Sequence, residues 1–173
     1  MQKFCNNKSS RKSPITMESK VQLSKFAYNL TLIINVVLIG CCVSMFNERP
    51  GFWIALGILL VLLFFGFLYG PRQITASPEY VIVRTYLLKL KILVSDIESV
   101  ELFRPAMGSI RLFASGGYCG YWGMFRDGYI GTYAGYYGKS SDCFLIRMKN
   151  GSKYVLGCEN PEGMVEYIQS QIK

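Results

Sequence analysis

Two apolar runs stand almost back to back near the N-terminus, residues 26–46 and 52–69, with only 47–51 between them. As helices they would reach roughly 32 Å and 27 Å, close to a ~30 Å hydrocarbon core. Neither contains Asp, Glu, Lys or Arg. Buried helices of soluble domains rarely run so far without a charged face. The basic start suits a cleaved leader, but the first run is longer than a leader's apolar region of about 7–15 residues and a second run follows at once, so an uncleaved hairpin fits better. The pattern therefore predicts a transmembrane helical hairpin, its short turn making the two helices antiparallel neighbours. Asn35 is the polar exception near the middle of the first run. With no ionisable residue in either run, it reads as a helix–helix hydrogen bond rather than part of a transport path. Gly57 and Gly66 could allow close packing, although they form no GxxxG pair.

Beyond residue 70 the periodicity changes. Pro71 stops the second helix. Short stretches rich in β-branched and aromatic residues follow at 72–76, 80–86 (YVIVRTY), 87–94 (LLKLKILV) and 95–103. Near the end, 143–148 and 153–156 flank Asn150-Gly151, which predicts a hairpin with a type I′ turn. A helix closes the chain. Asn160 is its N-cap and Pro161 its first residue, with Met164, Val165, Ile168 and Ile172 along one apolar stripe.

Residues 108–138 hold nine of the seventeen glycines, interleaved with aromatics from Phe113 to Tyr137. Disordered segments are poor in aromatics, so this one reads as ordered. It is expected to be a loop through about 123, then a strand over about 129–137. The fold class that follows is α+β: a transmembrane hairpin, then a strongly bent antiparallel sheet or barrel, then a C-terminal amphipathic helix that plugs its open end.

That order is similar to pleckstrin-homology-like domains, and particular residues sharpen the likeness. They are Arg104-Pro105, the run from Gly116 through Phe125 (GGYCGYWGMF), Gly131, Tyr133, the strand through 144–147, Asn150-Gly151 and the ending Glu159-Asn160-Pro161-Glu162. Together these resemble a bacterial PH domain family, over residue 71 to the C-terminus. Members often carry two N-terminal membrane helices. The resemblance implies a fold more than a function.

The chain divides into a basic, disordered tail (1–25), the hairpin (26–69) and a PH-like domain (71–173). Net charge is +8. Six Lys/Arg lie in 1–25 against Glu18 alone, while 70–173 carries twelve Lys/Arg against nine Asp/Glu. The excess sits beside the apolar runs, where anionic headgroups attract it, so nucleic acid need not be invoked. Lys and Arg flank both runs, and only Arg49 lies between them, which places both termini in the cytoplasm of a multi-pass protein of the cell (inner) membrane. Free thiols are expected there. The chain has no His, no CxxC pair and no phosphate-binding glycine motif. No catalytic residue, metal site or cofactor is assigned.

The leading expectation is a non-enzymatic binding or scaffolding module that acts by protein contact or self-association at the bilayer. Its candidate surface is Tyr118, Tyr121, Trp122 and Phe125, since Tyr and Trp favour interface hot spots. One alternative is a module for anionic lipid headgroups, with Arg104, Arg111, Arg126, Lys89 and Lys91 as candidate phosphate contacts. Another is an accessory subunit of a membrane complex. Cys119 among glycines lacks a neighbouring base to activate it.

Overall fold

The computed structural model describes residues 16–106 and 108–172. Strand β1 (Met17–Lys20) leads into helices α1 (Lys25–Ser44) and α2 (Arg49–Tyr69). Strands β2 (Pro71–Ala76), β3 (Tyr80–Thr85) and β4 (Lys89–Leu93) follow, then β5 (Ile97–Leu102), β6 (Ile110–Gly117), β7 (Gly120–Asp127) and β8 (Gly131–Tyr137). Last come β9 (Cys143–Met148), β10 (Lys153–Gly157) and helix α3 (Pro161–Gln171). Both α1 and α2 are long and apolar enough to cross a membrane, and little of either is buried by the rest of the chain.

The strands form two open sheets, ordered β1-β2-β3-β4 and β5-β9-β10-β8-β7-β6, so the expected closed barrel is not formed. The sheets are also not purely antiparallel. The turn after β8 sends β9 back one position away, and β10 returns in the gap, parallel to β8. The main core lies between the two sheets. Ile74, Val81 and Val83 meet Phe144, Ile146 and Leu156, and Met164, Val165 and Ile168 of α3 close one end. The other face of the larger sheet holds a second cluster: Phe125, Tyr133, Tyr137, Leu145 and Val155. Strands β9 and β10 are therefore covered on both faces, which accounts for their unbroken apolar runs. Asn160 caps α3 as expected, accepting from the Gly163 amide at 3.1 Å.

Three further expectations are corrected. Residues 17–25 are not a disordered tail, while residues 1–15 lie outside the described residues. Met17–Lys20 pairs with Gln73–Ala76, and Ser24 then caps α1 through its Oγ. The Asn150-Gly151 turn is not type I′. Only Gly151 has a positive φ, and the bonds from Gly151 N to Met148 O and from Met148 N to Ser152 O fit a type I turn with a following left-handed residue. Finally, the region to residue 123 is not a loop. It is the β6–β7 hairpin, whose glycines sit within paired strands.

Candidate functional site

The tip of the β6–β7 hairpin is a two-residue turn, Tyr118-Cys119, between paired Gly117 and Gly120. Cys119 (φ 53°) is the only non-glycine with positive φ among the described residues. Such a backbone persists where its surroundings hold it, and here α1 does. The Cys119 amide donates to Thr31 Oγ1 at 2.9 Å, and that hydroxyl donates to the Ala27 carbonyl at 2.7 Å. The Tyr118 hydroxyl donates to Asn35 Oδ1 at 3.2 Å, while Asn35 Nδ2 donates to the Thr31 carbonyl. Asn35 thus bonds the hairpin rather than α2. Thr31 and Asn35 stand one helical turn apart, on one face.

From the other side, α2 offers Gly66. A Cβ there would lie 2.8 Å from Cys119 Sγ and 3.0 Å from the Tyr118 ring, so a side chain at this position would press on the seated tip. A Cβ on Gly57 would meet nothing within 4 Å. Trp122 stacks on Tyr69 of α2, centroids 5.1 Å apart, and its Nε1 donates to the Tyr118 carbonyl at 3.1 Å. Burial pushes the Cys119 thiol pKa up.

The concave face behind the hairpin is aromatic. Tyr121 stacks on Tyr137 at 5.1 Å and Phe125 on Tyr133 at 5.6 Å. A cleft of about 500 Å³ opens beside them, with Arg111 and Phe26 on its rim. Arg111 lies flat across Gly116, where a Cβ would collide with its guanidinium. At the far end, buried Asp127 accepts from the Tyr129 amide at 2.8 Å and from Ser109 Oγ at 3.0 Å. These bonds, the Tyr129 amide above all, hold its carboxyl below the usual carboxylate range despite burial. A depressed folded pKa adds stability that is complete above the unfolded value of ~3.9 and lost as pH falls through the folded one. The thermal midpoint should therefore drop on acidification below about pH 4, and less steeply in Asp127→Asn.

The structure divides the expected site residues. Phe125 is core, 2 % exposed, and offers no surface. Tyr118 and Trp122 are used inside the chain, against the helices, and Tyr121 is half-buried on the concave face. The cations do not converge. Arg111 pairs across with Phe125 and shares its face, whereas Arg126 is the next residue along β7 and points the opposite way. Arg104 lines a separate cleft with Pro161 and Glu162. Lys89 and Lys91 belong to the other sheet, where Lys91 lies over the Tyr80 ring.

Missing from the sequence reading were Thr31, Tyr69 and an outer edge. Strand β6 ends its sheet, and it leaves Ile110, Leu112 and Phe113 exposed (62 %, 54 % and 83 %) beside Met124. The apolar residues Ile110, Leu112 and Phe113 around Arg111 were the available signal.

A family model described as a bacterial PH domain matches residues 72–172. The chain belongs to the bacterial PH domain family. The match covers both sheets from β2 onward and α3, and it stops short of α1, α2 and β1. Neither the comparison with curated proteins nor that with solved structures gives a match. PH-like domains are generally non-catalytic binding modules. In this bacterial PH domain, β1 extends the smaller sheet, and the glycine-rich hairpin is the part gripped by the helices.

Proposed function

We propose that the chain is a membrane-anchored, non-enzymatic binding module, held against the cytoplasmic face of the bilayer and assembling with a protein partner through strand β6. The observation that carries this is the open edge of β6. Exposed edges are normally blunted by Lys, Pro, bulges or cover. This one has a single bulge between Arg111 and Phe113 and is covered only toward its end, where Gly117 lies against Phe26 and Leu30 of α1. Its one cation, Arg111, is turned to the concave face. An edge of this kind can accept an added strand, with main-chain bonds giving affinity and apolar pockets giving choice. The anchor reading is supported by a further apolar turn. Tyr86, Leu87 and Leu88 are exposed beside the end of α2, where Thr85 Oγ1 donates to the Leu68 carbonyl. The scatter of Arg104, Arg111, Arg126, Lys89 and Lys91 weighs against a headgroup pocket built from those five cations.

The test places a photo-crosslinking amino acid at Phe113 in native membranes. A protein adduct of defined mass, reduced by Leu112→Lys and missing when the probe is moved to the equally exposed Tyr129, is expected. No protein adduct at Phe113, or an equal one at Tyr129, would sink the reading.

A further inference from the structure

A second hollow runs along the helices, where they meet Pro71, Arg72, Tyr86 and Cys119 of the PH-like domain. It is a groove of about 570 Å³, within the range of ligand sites. One wall is a stripe of α1 from Tyr28 to Ile39, and the facing wall is Leu63 and Phe67 of α2. The stripe rises about 16 Å, close to half of a ~30 Å hydrocarbon core. The groove is therefore as deep as one leaflet. Its deep polar side chains, Thr31 and Asn35, already hold the hairpin tip, so its wall presents no unmet polar group there.

The mouth is different. Arg72 stands there with its guanidinium 5.3 Å from the centroid of the Tyr86 ring, and Phe67 packs edge-on against that ring at 5.1 Å. Among the described residues, no carboxylate lies within 4.0 Å of Arg72. A cation held at headgroup height above a one-leaflet apolar trough matches one kind of amphiphile. We propose that this groove holds one acyl chain of an anionic glycerophospholipid, with its phosphate on Arg72. The inference rests on the membrane-anchor part of the proposed function and is independent of β6. It gives the helices a task beyond anchoring, because a bound lipid would also line the space beside Cys119 at the hairpin tip.

The experiment uses the full chain, extracted in mild detergent, stripped of lipid and examined by native mass spectrometry with phosphatidylglycerol or phosphatidylcholine added. The wild type should retain phosphatidylglycerol preferentially. Arg72→Gln should lower that retention about fivefold, the contribution of one basic residue at a membrane surface, and lower phosphatidylcholine retention less, because the choline ammonium offsets the same phosphate. Val36→Trp or Ile39→Trp, which fill the trough, should lower retention of both lipids. Arg126→Gln, away from the groove, serves as the control. Thermal midpoints of all variants check folding. Equal retention of the two lipids, no effect of Arg72→Gln, or no effect of both tryptophan variants would overturn the proposal. Displacement by millimolar inorganic phosphate would also overturn it, since the acyl chain would then not be bound. Failure of the anchor itself is separate. It would show as release of the protein from membranes by alkaline carbonate, before any lipid is added.

Discussion

Gly138→Val should cost the protein about 4 kcal/mol or more, among the largest effects expected of a single substitution. Gly138 follows β8, where the chain segment entering α1 crosses it. A Cβ at this position would fall on the carbonyl oxygen of Gln22 and lie 2.6 Å from its carbon and 3.0 Å from Leu23 N. All three atoms are backbone, so no side-chain rotation relieves the overlap. Residues 22–24 must move away, which breaks the bond from Ser24 N to Gly138 O at 2.9 Å. Ser24 is also the N-cap of α1, and loss of a cap alone costs about 1 kcal/mol. Gln22 would be pulled from Glu159 and Lys139 as well. Thermal unfolding in detergent should show a fall of about 10 °C in the midpoint. Gly128→Val, where nothing lies within 4 Å, should shift the midpoint by no more than about 2 °C. Equal midpoints for the two variants would show that the junction is not tightly packed.

That junction also marks where the sequence could and could not be read. The helices were visible because their signal is local and long. The strands β2 to β5, β9 and β10 were visible because β-branched and aromatic runs are set off by turns. Helix α3 declared itself through Asn160, Pro161 and one apolar stripe. The hairpin was misread for a physical reason. Gly116, Gly117, Gly120 and Gly123 lower strand propensity, yet each sits at a place of close approach. Gly117 and Gly120 have positive φ at the tip, and a Cβ on Gly123 would strike the backbone of Phe113 and Ala114. Glycine here records contacts with distant residues, which no window of sequence contains. Strand β1 was missed because its pairing partner lies beyond both helices. The same separation hid the role of Asn35. A lone Asn in an apolar run was expected to bond the neighbouring helix, and its partner is Tyr118. The candidate aromatic surface was legible as a group of residues, but its direction was not. Alternation along β7 sends Tyr121 and Phe125 to one face and Trp122 to the other.

Gly66→Leu should release the hairpin tip while leaving both sheets folded. The leucine Cβ would lie 2.8 Å from Cys119 Sγ and 3.0 Å from Tyr118, and the rest of the side chain would occupy the seat of the tip. Helix α2 itself loses nothing, since leucine is a better helix former than glycine. What goes is the set of contacts across the junction: the Cys119 amide on Thr31, the Tyr118 hydroxyl on Asn35 and the Trp122–Tyr69 stack. Polar contacts between membrane-embedded groups contribute about 0.6 kcal/mol each on average, and an aromatic pair about 0.5–1.5. Their sum is roughly 1.7–2.7 kcal/mol, or about 20- to 100-fold in the closed-to-open ratio. The readout is alkylation of Cys119, whose burial in the seated tip raises its pKa and limits access. Cys143 and Cys158 are buried in the domain core, at 2 % exposure each, and report global unfolding instead. Gly66→Leu should speed alkylation of Cys119 by at least about tenfold, with Cys143 and Cys158 unchanged. Gly57→Leu, with no neighbour within 4 Å, should leave all three rates alone. If Cys119 reacts equally in both variants, the tip is not held by α2. If Cys143 reacts along with it, the hairpin and the sheets unfold as one unit, and seating of the tip is then a condition for the domain fold.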